Sequence, residues 1–194
     1  MYTPATGNDH YAHSDNTPSG AYIFKPKRGD SDKKQYSTFG KITTMKFETT
    51  GVNAFELEYR DEESEEMYTA LILTVPGANT LEWEVQLHAI PVSRTSTNTG
   101  KEVVANWDLV NFASANTFYT DSNGLEMQKR ILNERPDFTL ETHEFASSNY
   151  YPINSAIAIR DTNSGMQLTV MNDRSQAGSV LADGSVELLQ NRRL

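Results

Sequence analysis

Four places in the sequence bring together side chains that can do chemistry. Residues 60–66, RDEESEE, crowd Asp61, Glu62, Glu63, Glu65 and Glu66 into one short stretch. Such density suits a calcium site or an acidic recognition loop, but the spacing is not that of an EF-hand. A charged hairpin tip that discourages edge pairing explains it more simply. Residues 9–15 hold Asp9, His10, His13 and Asp15, side chains that zinc accepts. They sit in a polar stretch where a rigid site is hard to build, which favours a tail. Tyr22 follows Gly20 closely at the start of an apolar run, where a tyrosine ordinarily packs its ring and leaves its hydroxyl at a rim. Arg192 and Arg193 stand side by side near the end of a strand-like segment. Neighbours on a strand point to opposite faces, so one guanidinium turns inward, at a cost unless a carboxylate or polar ligand meets it. A structural salt bridge accounts for one arginine and poorly for both.

The other chemistry-bearing residues add little. His88 and His143 lie apart on strand-like segments and read as surface residues. There is no cysteine, which excludes thiol catalysis, thiolate zinc sites and disulfides. HExxH, P-loop, GxGxxG and GxSxG patterns are absent. An acid/base pair cannot be picked from 26 acidic residues, because the separation that matters is spatial. Taken alone, the residues show no catalytic centre.

The elements that must position these groups have period two. In NAFELEYR, Phe55, Leu57 and Tyr59 alternate with Glu56, Glu58 and Arg60; in LEWEVQLH, Leu81, Trp83, Val85 and Leu87 alternate with polar residues. Each segment reads as a strand with one apolar face. MYTALILTV is more continuously apolar and suits a strand covered on both sides. Further strands are predicted at 41–48, 102–112, 117–121, 125–131, 138–144, 155–160, 166–171 and 185–191, separated by turn chemistry at 121–124, 161–165 and 182–184. DTNSG between SAIAIR and MQLTV reads as a β-hairpin. No dozen-residue window carries a helical stripe. The expected fold is an all-β antiparallel sandwich over residues 21–194, preceded by an extended polar arm over 1–20. Its expected core includes Phe47, Phe55, Leu57, Leu71, Leu73, Trp83, Val85, Leu87, Ile157, Ile159, Leu168, Val170, Val186 and Leu188.

The bulk numbers narrow the partners. At 194 residues the chain can bury a core without staples, and its net charge of −9 argues against nucleic acid or an anionic membrane surface. No apolar run approaches the roughly 20 residues needed to span a bilayer. The N-terminus lacks the plan of a signal peptide and looks like a start made inside a longer protein. No Asn-x-Ser/Thr sequon occurs.

Five stretches in order carry a resemblance: SGAYIFKP (19–26), IPV…GKEVV (90–104), FYTDSNGLEMQKR (118–130), NYYPIN (149–154) and LTVMNDRSQAGSVLADGSVELLQNRRL (168–194). Together they resemble the C-terminal region of class II α-mannosidases, glycoside hydrolase family 38, in its lysosomal or vacuolar acid branch. Between Lys27 and Thr80 the likeness rests on strand pattern. The resemblance implies a supersandwich of the galactose-mutarotase-like kind. It also implies a retaining exo-mannosidase whose nucleophile, acid/base carboxylate and zinc belong to a catalytic barrel preceding this chain. No catalytic or metal residue is then expected here. Expected partners are that barrel, a helical domain and mannose-containing glycans; the expected location is lysosomal or vacuolar, or secreted. By the same resemblance Tyr22 and an arginine of RRL, Arg192 or Arg193, reach the mannose site from the β-domain, and the abrupt end is a boundary within a longer protein. Two other readings compete. One is a stand-alone carbohydrate-binding module, with Trp83 and Trp107 as candidate platform residues. The other is a structural, oligomer-forming sandwich.

Overall fold

A computed structural model describes residues 24, 39–47, 51–60, 66–90, 101–140 and 145–193, with the backbone alone at 39–47, 59–60, 66–69, 101 and 193. The described residues are nearly all β, and every strand pairing is antiparallel. The chain divides into two compact units, residues 34–98 and residues 1–33 with 99–194.

The first unit is a meander of β1 (Phe39–Phe47), β2 (Val52–Arg60), β3 (Glu66–Thr74) and β4 (Leu81–Leu87), in that order across the sheet. Register puts Phe55, Ile72 and Trp83 on one rung and Leu57, Ala70 and Val85 on another of the same face. Leu71 and Leu73 fall on the opposite face, beside Glu56, Glu82 and Glu84. Leu71 and Leu73 are half-buried like Phe55 and Trp83, so the apolar residues of this sheet are divided between its two faces, as the continuously apolar TALIL implies. The fully buried residues here are small, Ala54 and Ala70, at 1% and 0% exposure. Phe55, Leu57, Trp83, Val85 and Leu87 are half-buried, and the side chain of Phe47 lies outside the described residues.

The second unit contains β5 (Lys101–Asp108), β6 (Thr117–Ser122), β7 (Glu126–Ile131), the single helical turn α1 (Phe145–Ser148), β8 (Tyr151–Ile153), β9 (Ala156–Arg160), β10 (Gln167–Met171), β11 (Gln176–Ser179) and β12 (Ser185–Arg193). They form two sheets, β5-β12-β11-β8 and β10-β9-β6-β7. The sheets pack face to face through Phe118, Ile157 and Ile159 on one side and Tyr151, Ile153, Val186 and Leu188 on the other, with Leu168 and Val170 at the margin. The hairpins at 121–124 and 161–165 form as expected.

Some boundaries differ. The strand expected at 102–112 stops at Asp108, because Leu109 N–H turns to the Gly184 carbonyl and Asn111 takes φ 57°. The strand expected at 138–144 is not formed over 138–140, where Phe138 is exposed and no strand among the described residues lies opposite it; residues 141–144 lie outside the described residues. Strands β8 and β11 were not foreseen, being three and four residues long, too short for a period to register.

Three aspartates tie the loops of this sandwich together. Asp121 Oδ1 accepts the N–H groups of Asn154, Ser155 and Ala156 at 2.8–3.2 Å, and its Oδ2 accepts Gly124 N–H at 2.8 Å. Burial raises its pKa, but those backbone donors outweigh it and hold the carboxyl at about 2. Asp161 is also held at about 2, chiefly by the Ser164 hydroxyl and N–H and then by Ala113 N–H. Asp183 is lowered first by the Ser114 hydroxyl, which donates at 2.7 Å. Beside it Gly184 has φ +72°, and a Cβ there would come within 2.4 Å of the Phe112 carbonyl, so only glycine fits.

Candidate functional site

The site lies on the face of β5-β12-β11-β8 turned away from the sandwich core. On that face β12 presents Ser185, Glu187 and Leu189, opposite Asp108, Asn106 and Val104 of β5. A regular ladder would then set Asn191 opposite Glu102 and turn Arg192 to the core side. A β-bulge between Leu189 and Asn191 shifts the pairing by one residue and brings Arg192 opposite Glu102. The irregularity thus decides which of the two arginines joins the Glu187 face.

Arg192 Nε donates to Glu102 Oε1 at 2.8 Å, and a terminal guanidinium nitrogen reaches the same oxygen at 2.8 Å. Side-chain exposure is 0% for Glu102 and 19% for Arg192. A carboxylate this deep costs several kcal/mol unless it is paired, so the two side chains stabilise one another's placement. Two nitrogens on one oxygen also fix the plane of the guanidinium. Its Cζ stands 5.5 Å from the centroid of the Phe24 ring. Phe24 packs on Tyr150, centroids 4.6 Å apart, and its carbonyl accepts the Ser147 hydroxyl at 2.6 Å. The Tyr150 hydroxyl donates to Glu187, which is 1% exposed. The result is a layer, Glu102–Arg192–Phe24–Tyr150–Glu187, that buries both carboxylates on a sheet face that alternation alone would assign to water.

Beside this layer an open cavity of about 620 Å³ is lined by Tyr150, Asn154, Gln176, Gln190 and Arg192, among others. Amide groups, a phenol and a guanidinium are directional partners for hydroxyl-bearing ligands. Of the residues singled out in the sequence, Arg192 reaches this cavity. Tyr22 and the Arg193 side chain lie outside the described residues, as do the histidines and aspartates of 9–15 and most of the acidic run, 61–65. Glu102, Glu187 and Tyr150 were not picked out. Their signal is faint, since a glutamate on a half-polar strand looks solvated until a further segment covers it. Trp107 packs against the sandwich core and Trp83 is half-buried, so neither offers an exposed platform. Among the described residues no group of three or more His, Asp or Glu side chains is placed to hold a metal ion, and no helix is long and apolar enough to cross a membrane.

Comparison with known proteins gives a consistent picture. The family model described as glycosyl hydrolases family 38 C-terminal domain matches residues 2–194. Lysosomal alpha-mannosidase of Bos taurus is 37% identical over 193 residues, covering 100% of this chain and 17% of that protein. The Homo sapiens protein of the same name is 39% identical over 176 residues, covering 91% of this chain and 16% of its own length. That of Dictyostelium discoideum is 33% identical over 193 residues, covering 99% and 17%. The chain therefore spans about a sixth of the length of the curated relatives it matches.

Proposed function

This chain belongs to glycosyl hydrolase family 38 as a C-terminal domain, and from that premise we propose that it is the β-domain of a zinc-dependent, retaining α-mannosidase acting on terminal α-mannose of glycans. On this reading the nucleophile, the acid/base carboxylate and the zinc lie on a catalytic barrel outside the 194 residues. The chain's own proposed part is to position rather than to react. A lysosomal or vacuolar location follows from the names of the relatives.

The observation that carries the reading is Arg192, a guanidinium locked by buried Glu102 and presented at the wall of a cavity. A cation held in one plane donates to sugar hydroxyls directionally and lowers the pKa of carboxyls that approach it. Tyr22 completes the proposed contact set. The test is Arg192→Lys in the intact protein, assayed on an aryl α-mannoside. Lysine keeps a charge for Glu102 but loses the fork. A charge-assisted contact worth about 1.5–3 kcal/mol predicts a fall in kcat/KM of roughly 10- to 100-fold at a nearly unchanged Tm. Unaltered kcat/KM would remove Arg192 from the substrate site. The isolated chain should show no turnover with or without added zinc; clear turnover would relocate the chemistry to it.

A further inference from the structure

On the core-facing side of β8, two arginines share one aromatic ring. Arg130 Cζ lies 4.5 Å from the Tyr151 ring centroid and Arg135 Cζ lies 4.2 Å from it, while Phe118 meets the same ring edge-on. Arg130 sits opposite Phe118 on β7, an edge strand, so it is an inward-pointing charge. Such a charge protects an open edge from pairing. That accounts for one cation at this place and leaves the second unexplained, since like charges on a half-buried surface repel.

Arg130 is held through Nε, and Arg135 through its two terminal nitrogens. Arg130 Nε donates to Thr120 Oγ1 at 3.1 Å; Arg135 donates to the carbonyls of Glu134 at 3.2 Å and Ser148 at 2.7 Å. Among the described residues neither forms an ion pair, although the chain carries 26 acidic residues against 17 basic. The terminal nitrogens of Arg130 and the Nε of Arg135 have no acceptor there either. Burial, and then the Arg130 charge, push the Arg135 guanidinium below its ordinary range. The open terminal nitrogens of Arg130 and the open Nε of Arg135, with no counter-charge among the described residues, are donors that a planar or tetrahedral oxyanion takes.

We propose that Arg130 and Arg135, held against the Tyr151 ring, form a binding site for an oxyanion, a carboxylate or phosphate group. The ring fixes both guanidiniums, and the anion supplies the missing negative charge. This site stands independently of the mannosidase reading. Its ligand comes either from solution or from a carboxylate on polypeptide beyond these 194 residues.

Arginine-selective modification by phenylglyoxal, mapped by mass spectrometry, tests it in the intact protein and in the 194-residue chain. Rates are compared in chloride, inorganic phosphate and acetate at matched ionic strength. Saturable, several-fold slowing at both Arg130 and Arg135 in phosphate or acetate supports the site, with exposed Arg174, paired to Asp173, as the unaffected control. If both are slow in every salt in the intact protein but become salt-dependent in the shorter chain, the anion is a carboxylate of the same protein. Equal rates in all three salts in both proteins would overturn the proposal. So would Arg135→Gln, if Arg130 kept its full protection. Should that variant not fold, the comparison of salts in the unaltered protein decides.

Discussion

At the scale of single residues, carboxylates organise the sandwich unit in two ways. Glu102 and Glu187 face a covering aromatic layer and meet a guanidinium and a phenol, whereas Asp121, Asp161 and Asp183 meet backbone N–H groups. Asp121 joins the β6–β7 turn to the turn before β9 through both oxygens. Asp121→Asn keeps the shape but turns an NH2 group on N–H donors. We expect it to lower unfolding free energy at neutral pH by about 1–3 kcal/mol, the cost of stranding buried donors, measured by urea unfolding. A stability within error of the unaltered chain would show that these bonds contribute nothing net. The value of such a residue is hard to see in DSNG, which reads as ordinary turn chemistry; its partners at 154–156 are remote in sequence.

At the scale of elements, β11 and β12 hold the candidate site, and close contact sets their spacing. A Cβ on Gly178 of β11 would stand 2.7 Å from Leu188 Cδ2, 2.8 Å from Ile153 Cγ1 and 3.1 Å from the Glu187 carbonyl. Gly178→Val should therefore destabilise by roughly 1–3 kcal/mol through overpacking and, on the proposed function, depress hydrolysis of an aryl α-mannoside by the intact protein through the disturbed β12 ladder. A normal Tm by calorimetry would contradict this account of why the position is small. The hairpins and most strand centres were legible because turn residues and alternation are local signals. The bulge on β12 was not, since LLQN contains no glycine and nothing in its composition marks an extra residue. Pairing with β5 across some 80 positions decides it.

At the scale of the whole molecule, the three aspartates predict how the chain meets acid. Asp121 and Asp161 have folded pKa values of about 2, below the ordinary 3.8, and Asp183 is lowered in the same direction. A carboxyl lowered by folding adds stability that is complete above the unfolded value and is lost as pH falls towards the folded one. The stability these groups supply should thus be level from neutral pH down to about 4 and decline from there towards 2. In a pH series of urea melts, the gap between the unaltered chain and Asp121→Asn should stay constant to about pH 4 and narrow below it. A gap that narrowed already between pH 7 and 5 would assign the effect to other groups. By itself the sequence determined the β class, the antiparallel hairpins, the family resemblance and a charged pair at the end of a strand, because period, turn residues and motif order are properties of neighbours along the chain. Only the tertiary structure decided that Arg192 meets Glu102, that Glu187 is buried beneath Tyr150, and that Arg130 and Arg135 converge on Tyr151. Those contacts depend on register, a bulge and a covering layer, which join residues from Phe24 to Arg192 that have no local reason to meet.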